Sequence, residues 1–114
     1  MDAIKDLWWE GSSLADLRAF PEDAKHAIGF QLFRVQSGDM PDDWKPLKKL
    51  AKDVTGVYEL RVSIDNNIYR SAYVTKFGDT VTVLHCWQKK TQATSKVDLD
   101  LIVKRYRSAK DTLG

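Results

Sequence analysis

The clearest pattern in this chain is an alternation of apolar and polar side chains in its second half. Between residues 57 and 64 every second side chain is apolar, which predicts a strand with one buried face. Asp65-Asn66-Asn67 follows, and it favours a hairpin turn because Asn and Asp tolerate positive φ. Residues 68–76 and 80–87 continue as strands on either side of Gly78-Asp79. Such short turns predict three antiparallel strands in a meander.

The first part of the chain changes from a short strand to a helical pattern. Residues 4–10 are an apolar and aromatic run that ends at Gly11 and predicts a strand. Residues 12–37 then repeat apolar side chains at helical spacing, which predicts a helical hairpin. Phe30 and Phe33 widen the apolar side of this hairpin, so we expect both rings to pack in the core.

A final helix completes the predicted fold. Thr94 or Ser95 can cap this helix, and Asp98 lies in its first turn. The order of strand, two helices, loop, three strands and helix predicts one α+β domain over residues 1–114. We expect a twisted, mainly antiparallel sheet of four strands with the helices on one face. The other face is then left for polar and charged side chains, and the alternation places Arg61 there.

The net charge hides an asymmetry between the two parts of the chain. The 114 residues are 43% hydrophobic and 30% charged, as in ordinary globular proteins, and the net charge is +2. Residues 1–44 contain four Lys or Arg against nine Asp or Glu, whereas residues 45–114 contain fourteen against seven. The basic second part suggests a polyanion or an acidic partner. A solvated helix face and a lysine-rich loop would explain the same charges.

Several classes of protein are disfavoured by the residues that the sequence contains. Cys86 is the one cysteine, so neither an intrachain disulfide nor a zinc cluster of thiolates can form. Metal catalysis is poorly supported, since His26 and His85 are the only histidines. No apolar run reaches the ~20 residues that span a bilayer. Asp2 and Asp6 stand where a signal peptide carries positive charge, so we expect an intracellular protein.

The remaining candidate chemistry is cationic. Basic side chains come from adjacent predicted strands or their ends, where one sheet can bring them to a single phosphodiester; they are Arg61, Arg70, Lys89 and Lys90. Cleaving RNA without a metal requires deprotonation of the 2′-hydroxyl, stabilisation of the phosphorane charge and protonation of the leaving oxygen. Arg can bind two phosphate oxygens at once, and Lys supplies a point charge. His85 is a candidate acid or base, or else a hydrogen-bonded core histidine.

The loop predicted over residues 39–53 holds a second basic cluster. Lysines surround the apolar side chains of this loop; they are Lys45, Lys48, Lys49 and Lys52. Basic residues interleaved with an aromatic ring can contact RNA. A solvated loop anchored by Trp44 explains the pattern equally well.

Three blocks of the sequence resemble the signature of the RelE/ParE toxin superfamily. They are Val57-Tyr58-Glu59-Leu60-Arg61, Ile68-Tyr69-Arg70 and Val83-Leu84-His85-Cys86-Trp87-Gln88-Lys89-Lys90-Thr91-Gln92. The last block is most similar to the HigB-like, phage-derived branch. The resemblance implies a RelE-like fold and a cytoplasmic toxin of a type II toxin–antitoxin system, an mRNA endonuclease that acts on the ribosome without a metal or other cofactor. It also implies a cognate antitoxin, often a helix-turn-helix protein, which we expect to bind the basic, concave face.

The resemblance also implies roles for individual residues. Arg61 and Arg70 would bind and stabilise the scissile phosphate, while Lys89 and Lys90 would bind the RNA backbone or supply charge in the transition state. Two positions depart from the family pattern, which has Phe where this chain has Trp87 and Thr-Pro where it has Thr94-Ser95. Residues 91–100 also lack the Tyr or His that many relatives use as acid or base, so His85 or a lysine would have to fill that role.

Two other functions remain open on the same predicted fold. One is a ParE-like inhibitor of DNA gyrase, which would need no nuclease chemistry. The other is a catalytically degenerate module that only binds an antitoxin. If DNA supercoiling fails before translation after induction, a gyrase inhibitor is indicated rather than an endonuclease. A complete absence of toxicity indicates the module that only binds an antitoxin.

Overall fold

The computed structural model describes residues 4–89 and 93–114 of the chain. Within these ranges the elements are β1 (Asp6–Trp9), α1 (Ser13–Arg18), α2 (Glu22–Gln36), β2 (Trp44–Pro46), β3 (Tyr58–Ile64), β4 (Asn67–Val74), β5 (Thr80–Gln88) and α3 (Lys96–Leu113). The strands form one sheet in the order β1-β5-β4-β3-β2. β1 runs parallel to β5, and all other neighbours are antiparallel. The predicted α+β architecture is confirmed, but the sheet has five strands rather than four.

The additional strand, β2, lies inside the loop predicted over residues 39–53. It pairs with β3 through only three residues, with Trp44 opposite Leu60 and Pro46 opposite Tyr58. β2 is the edge of the sheet, where a proline costs little because its missing N–H would face away from the ladder. A three-residue strand that contains proline has no alternation to detect, which explains why the sequence did not predict it.

The turn between β3 and β4 sets the register of the two strands that carry Arg61 and Arg70. Ile64 pairs with Asn67, so the loop contains only Asp65 and Asn66, whose φ angles are 51° and 66°. Two successive positive φ values define the type I′ turn that suits the twist of a hairpin. The predicted hairpin is confirmed, and its register places Arg61 directly opposite Arg70.

Helices cover both faces of the sheet, and the expectation of helices on one face is wrong. α1 and α2 pack on one face in a cluster that includes Ile28, Leu60 and Val83. α3 packs on the other face in a second cluster that includes Leu84 and Ile102. β5 is an inner strand and is buried from both sides, as its nearly continuous apolar run would allow. Arg70 therefore lies near the start of α3, with its Nη1 3.4 Å from the Thr94 hydroxyl, and not on an open face.

The outer side of α2 differs from the prediction for its aromatic residues. Phe30 and Phe33 are 59% and 49% exposed, so the expectation that they pack in the core is wrong. The buried side of the helix is a narrower stripe of Ala24, Ile28, Leu32 and Val35, with Gln31 beside it. Four apolar side chains at helical spacing already cover the sheet, which leaves both phenylalanines facing outward.

A β-bulge in β5 directs His85 toward α3. Tyr73 pairs with Val83 but its neighbour Ala72 pairs with His85, so β5 contains one additional residue, Leu84. Val83 belongs to the cluster under α2, whereas Leu84 belongs to the cluster under α3. The extra residue interrupts the alternation, so Leu84 and His85 both lie on the α3 side. The next residue, Cys86, returns to the α2 side, where burial raises the pKa of its thiol to about 12.

α3 is capped as predicted and is fixed to the segment that follows β2. The Ser95 hydroxyl accepts a hydrogen bond from the Asp98 backbone N–H at 3.1 Å, which confirms one of the two predicted caps. Further along, the Arg107 guanidinium donates to both carboxylate oxygens of Asp53, each at 2.9 Å. No helix within the described ranges is long and apolar enough to span a membrane.

The Asp53–Arg107 pair gives a pH-dependent prediction. Its hydrogen bonds to Arg107 hold the pKa of Asp53 at about 2, below the ordinary 3.8. Because the folded-state pKa is depressed, the pair's contribution to stability is complete above about pH 4 and is lost as the pH falls toward 2. We expect Arg107→Ala to return the pKa of Asp53 toward 3.8 in an NMR titration of side-chain carboxylates. An unchanged pKa in that variant would show that Arg107 is not the cause.

Candidate functional site

A small cavity of about 130 Å³ lies between the C-terminal end of β5 and the start of α3. The side chains and backbone that line it are those of Arg70, Trp87, Gln88, Lys89, Ala93, Thr94, Ser95 and Asp98. At ~30 Å³ per water molecule, this volume suits a group of the size of a phosphate rather than a whole nucleotide. The cavity therefore brings two of the predicted cations, Arg70 and Lys89, to one place.

Arg70 is a buried cation at the wall of this cavity. It is 1% exposed, and its Nη1 donates to both carboxylate oxygens of Glu59 at 2.9 Å. The same nitrogen lies 3.4 Å from the Thr94 hydroxyl. Its Nε is buried and has no hydrogen-bond partner in the part of the chain that the structure describes. An unpaired buried donor is costly, so it indicates a place where an external acceptor would bind favourably.

Glu59 is a member of this site that the sequence did not reveal. Alternation placed it on the same side of the sheet as Arg61, and that side was expected to be open to solvent. It is instead fully buried, and Lys45 approaches it from β2 with 3.8 Å between Nζ and Oε2. A buried guanidinium needs a counter-charge, and Glu59 supplies it to Arg70. The register of the β3–β4 hairpin was the only signal that could have joined Glu59 to Arg70.

Arg61 lies beside the site but is held by a different carboxylate. It is directly opposite Arg70 in the ladder, which brings the two predicted arginines onto neighbouring strands. Its guanidinium donates to Asp43 through Nη2 at 2.8 Å and through Nε at 3.3 Å. Arg61 does not line the cavity, whereas Arg70 does. The structure thus places the arginines together and gives each its own acidic partner.

His85 is close to the cavity but separated from it by Asp98. The imidazole is 6% exposed and stacks on Trp87 with 4.8 Å between ring centroids. Its Nε2 is 2.7 Å from Asp98 Oδ1, and its Nδ1 is 3.5 Å from Arg105 Nη1 and 3.9 Å from Asp16 Oδ2. Both ring nitrogens face protein groups. Asp98, rather than His85, is the titratable side chain that reaches the cavity wall.

Of the two lysines in the Lys-Lys block, Lys89 is the one that the structure describes. Its backbone N–H donates to the Ile68 carbonyl at 2.8 Å, which extends the β4–β5 ladder past the end of β5. Its side chain lines the cavity, and residues 4–89 and 93–114 supply no ion-pair partner for its ammonium group. Lys90 lies outside the described residues, so its role stays a prediction.

The other predicted RNA-binding lysines are distributed along the segment around β2. Lys45 lies in β2 beside Glu59, as described above. Lys48, Lys49 and Lys52 are exposed in the segment that follows β2, and none of them lines the cavity. The structure therefore brings only Lys45 next to the Arg70–Glu59 pair.

These groups make the cavity suited to an anion. Arg70 and Lys89 supply positive charge, and the N-terminal end of α3 adds the positive end of the helix dipole. Asp98 is the one carboxylate that lines the cavity, and its oxygens accept from Ser95 at 2.6 Å and contact His85. Among the residues that the structure describes, no three His, Cys, Asp or Glu side chains are grouped to hold a metal ion.

Comparison with known proteins assigns the chain to a family. No curated protein matches the sequence. The model of a family described as phage-derived protein, Gp49-like (DUF891), matches residues 15–107. This match covers most of the chain, from α1 to the last turns of α3. The protein therefore belongs to the Gp49-like phage-derived family, which is part of the RelE/ParE-like toxin superfamily.

Proposed function

We propose that this protein is the HigB-like toxin of a type II toxin–antitoxin system and that it cleaves mRNA on the ribosome. One observation carries the proposal. Arg70 is buried with an unpaired Nε at the wall of a cavity that Lys89 and the start of α3 also line. This arrangement suits a phosphodiester, and members of the Gp49-like family are commonly toxins of toxin–antitoxin systems.

The proposed chemistry is a cleavage that the protein's own side chains catalyse, without a metal. When the 2′-oxygen attacks phosphorus, the phosphorane gains negative charge that must be stabilised. Arg70 would supply positive charge to a phosphate bound in the cavity while Glu59 keeps its guanidinium in place. Lys89 would add a second positive charge from the opposite strand. Both cations are held by paired strands, so little reorganisation is needed when the charge develops.

The proposed partners are mRNA in the ribosome and a cognate antitoxin. Lys45, Lys48, Lys49 and Lys52 would contact ribosomal or messenger RNA, since basic side chains supply affinity for the phosphate backbone. The antitoxin, which we expect to be a helix-turn-helix protein, would neutralise the toxin by covering the cavity and the basic residues around it. The proposed location of both partners is the cytoplasm.

One observation favours a second candidate, a degenerate module that binds an antitoxin without cleaving RNA. Both arginines of the signature blocks are engaged by carboxylates of the protein, Arg70 by Glu59 and Arg61 by Asp43. A guanidinium that is already neutralised attracts a phosphate less strongly. Among the described residues that line the cavity, Arg70 is thus already paired, and Lys89 is the cation left for substrate.

The test is an induction experiment with two readouts and one charge-reversed variant. We expect induced wild-type protein to arrest growth and to halt translation before DNA supercoiling changes, and purified protein to cut mRNA in programmed ribosomes. Lys89→Glu should abolish both the growth arrest and the mRNA cleavage, and its circular dichroism spectrum should match that of wild type. If DNA supercoiling changes before translation stops, the result would instead support gyrase inhibition. Absence of arrest and of cleavage, with antitoxin binding intact, would leave the degenerate module as the function.

A further inference from the structure

The cavity contains a carboxylate whose surroundings suit proton transfer. Asp98 lines the cavity, and its side chain is 26% exposed. Its Oδ1 is 2.7 Å from His85 Nε2, and its Oδ2 accepts from the Ser95 hydroxyl at 2.6 Å. A carboxylate offers about four lone-pair positions, so two remain for a substrate hydroxyl. The sequence predicts His85 or a lysine for the acid–base role of this site, whereas Asp98 lies at the cavity between His85 and the space for substrate.

We propose that Asp98 is the general base that takes the 2′-hydroxyl proton, and that His85 is a positioning residue behind it. This inference rests on the proposed endonuclease function. The 2.7 Å separation requires a proton between Nε2 and Oδ1, and Nδ1 accepts from Arg105, which is consistent with the Nε2–H tautomer. His85 therefore donates to Asp98 and fixes its orientation. Stacking on Trp87 in turn fixes the plane of the imidazole.

The groups around His85 matter because they hold its imidazole against Asp98. Asp98 and Arg105 face it from α3, Asp16 faces it from α1, and Trp87 covers it from β5. Arg105 is itself held by the Leu84 carbonyl at 3.0 Å and the Ser12 hydroxyl at 2.7 Å. The bulge in β5 is what turns His85 into this arrangement, since strict alternation would point it toward α2.

The proposed step balances within the site. The 2′-hydroxyl proton passes to Asp98, the O2′–P bond forms, and the P–O5′ bond breaks. The leaving 5′ oxygen takes a proton from the ammonium group of Lys89, a residue that lines the same cavity. The products are a 2′,3′-cyclic phosphate and a 5′-hydroxyl. Exchange with solvent then returns the proton to Lys89 and removes the one on Asp98.

The main alternative is that Asp98 only caps α3. It is the third residue of the helix, its backbone N–H donates to Ser95, and its carboxylate accepts from Ser95. Asp100→Asn makes the same change two residues later on α3, at an exposed carboxylate that accepts from Lys96 at 2.6 Å and does not line the cavity. This variant is therefore the matched control for a role of Asp98 in stabilising α3 alone.

The experiment compares kcat and KM for mRNA cleavage in programmed ribosomes. We expect Asp98→Asn to lower kcat by about 10²- to 10⁴-fold with little change in KM, the range for loss of a general base. Asp100→Asn should keep kcat within a few-fold of wild type. His85→Gln, which retains an N–H donor, should keep most of kcat, whereas His85→Phe should lose at least about tenfold.

Distinct outcomes separate this inference from the function on which it rests. If wild-type protein does not cleave mRNA, both the endonuclease proposal and the role of Asp98 fail. If wild type cleaves and Asp98→Asn retains its kcat, or Asp100→Asn loses as much as Asp98→Asn, only the role of Asp98 fails. If Asp98→Asn does not fold, the two His85 variants provide the test. Equal kcat values for His85→Gln and His85→Phe would then overturn the inference.

Discussion

Replacing Glu59 with alanine should lower the free energy of unfolding by about 3–5 kcal/mol, the range for breaking a buried ion pair. Glu59 and Arg70 are 0% and 1% exposed, and both carboxylate oxygens accept from the same guanidinium nitrogen. Without Glu59 the guanidinium would remain buried with no counter-charge, since Thr94 offers only a hydroxyl at 3.4 Å. Urea denaturation followed by circular dichroism measures the loss.

Two further variants test this explanation of the Glu59 result. Asp43→Ala removes the solvent-exposed carboxylate that pairs with Arg61, and it should lower the free energy of unfolding by no more than about 1 kcal/mol. The double variant Glu59→Leu with Arg70→Met removes both charges and should recover most of the stability that Glu59→Ala loses. A loss below about 1 kcal/mol in Glu59→Ala, or an equal loss in the double variant, would contradict the buried pair as the cause.

Lys89→Ala should lower the rate of mRNA cleavage by about 10²- to 10³-fold, as expected when one group that stabilises transition-state charge is removed. Lys89 lines the cavity, and its ammonium group has no ion-pair partner among the described residues, so it is available to substrate. The backbone hydrogen bond from Lys89 to Ile68 does not depend on the side chain, and the fold should be kept. Single-turnover cleavage in programmed ribosomes isolates the chemical step from product release.

The control for Lys89 is Lys104→Ala, which removes the same charge from an exposed position on α3. It should leave the single-turnover rate within about threefold of wild type, because a distant exposed charge is screened by salt. Equal losses in the two variants would mean that total charge, rather than the placement of Lys89 in the cavity, determines activity.

The sequence predicted those parts of the fold that depend on local patterns. The Asp65-Asn66 turn, the β3–β4–β5 meander and the Ser95 cap each follow from side-chain chemistry within a few residues. β2 was missed because edge strands gain their stability from a neighbour rather than from their own pattern. The placement of α3 opposite α2 was also missed, since it depends on which face of β5 each helix covers.

The candidate site was predicted in its cations but not in its carboxylates. Arg61, Arg70 and Lys89 stood out because their signature blocks are short and contiguous. Glu59 contacts Arg70 and Asp98 contacts His85, 11 and 13 residues away in sequence, and these contacts depend on strand register and on the bulge in β5. Long-range pairing of charges is set by tertiary structure, so neither spacing nor composition could reveal it.

The parallel pairing of β1 with β5 has a consequence for how a new chain acquires activity during synthesis. Asp6 lies opposite Thr80, so β1 cannot pair with β5 until at least 80 residues have been synthesised. The cavity is completed later still, because Thr94, Ser95 and Asp98 belong to the last fifth of the chain. A nascent or prematurely terminated chain therefore lacks the complete site and leaves strand edges unpaired, which favours its degradation or aggregation. We expect the proposed activity on the ribosome to begin only after α3 has emerged.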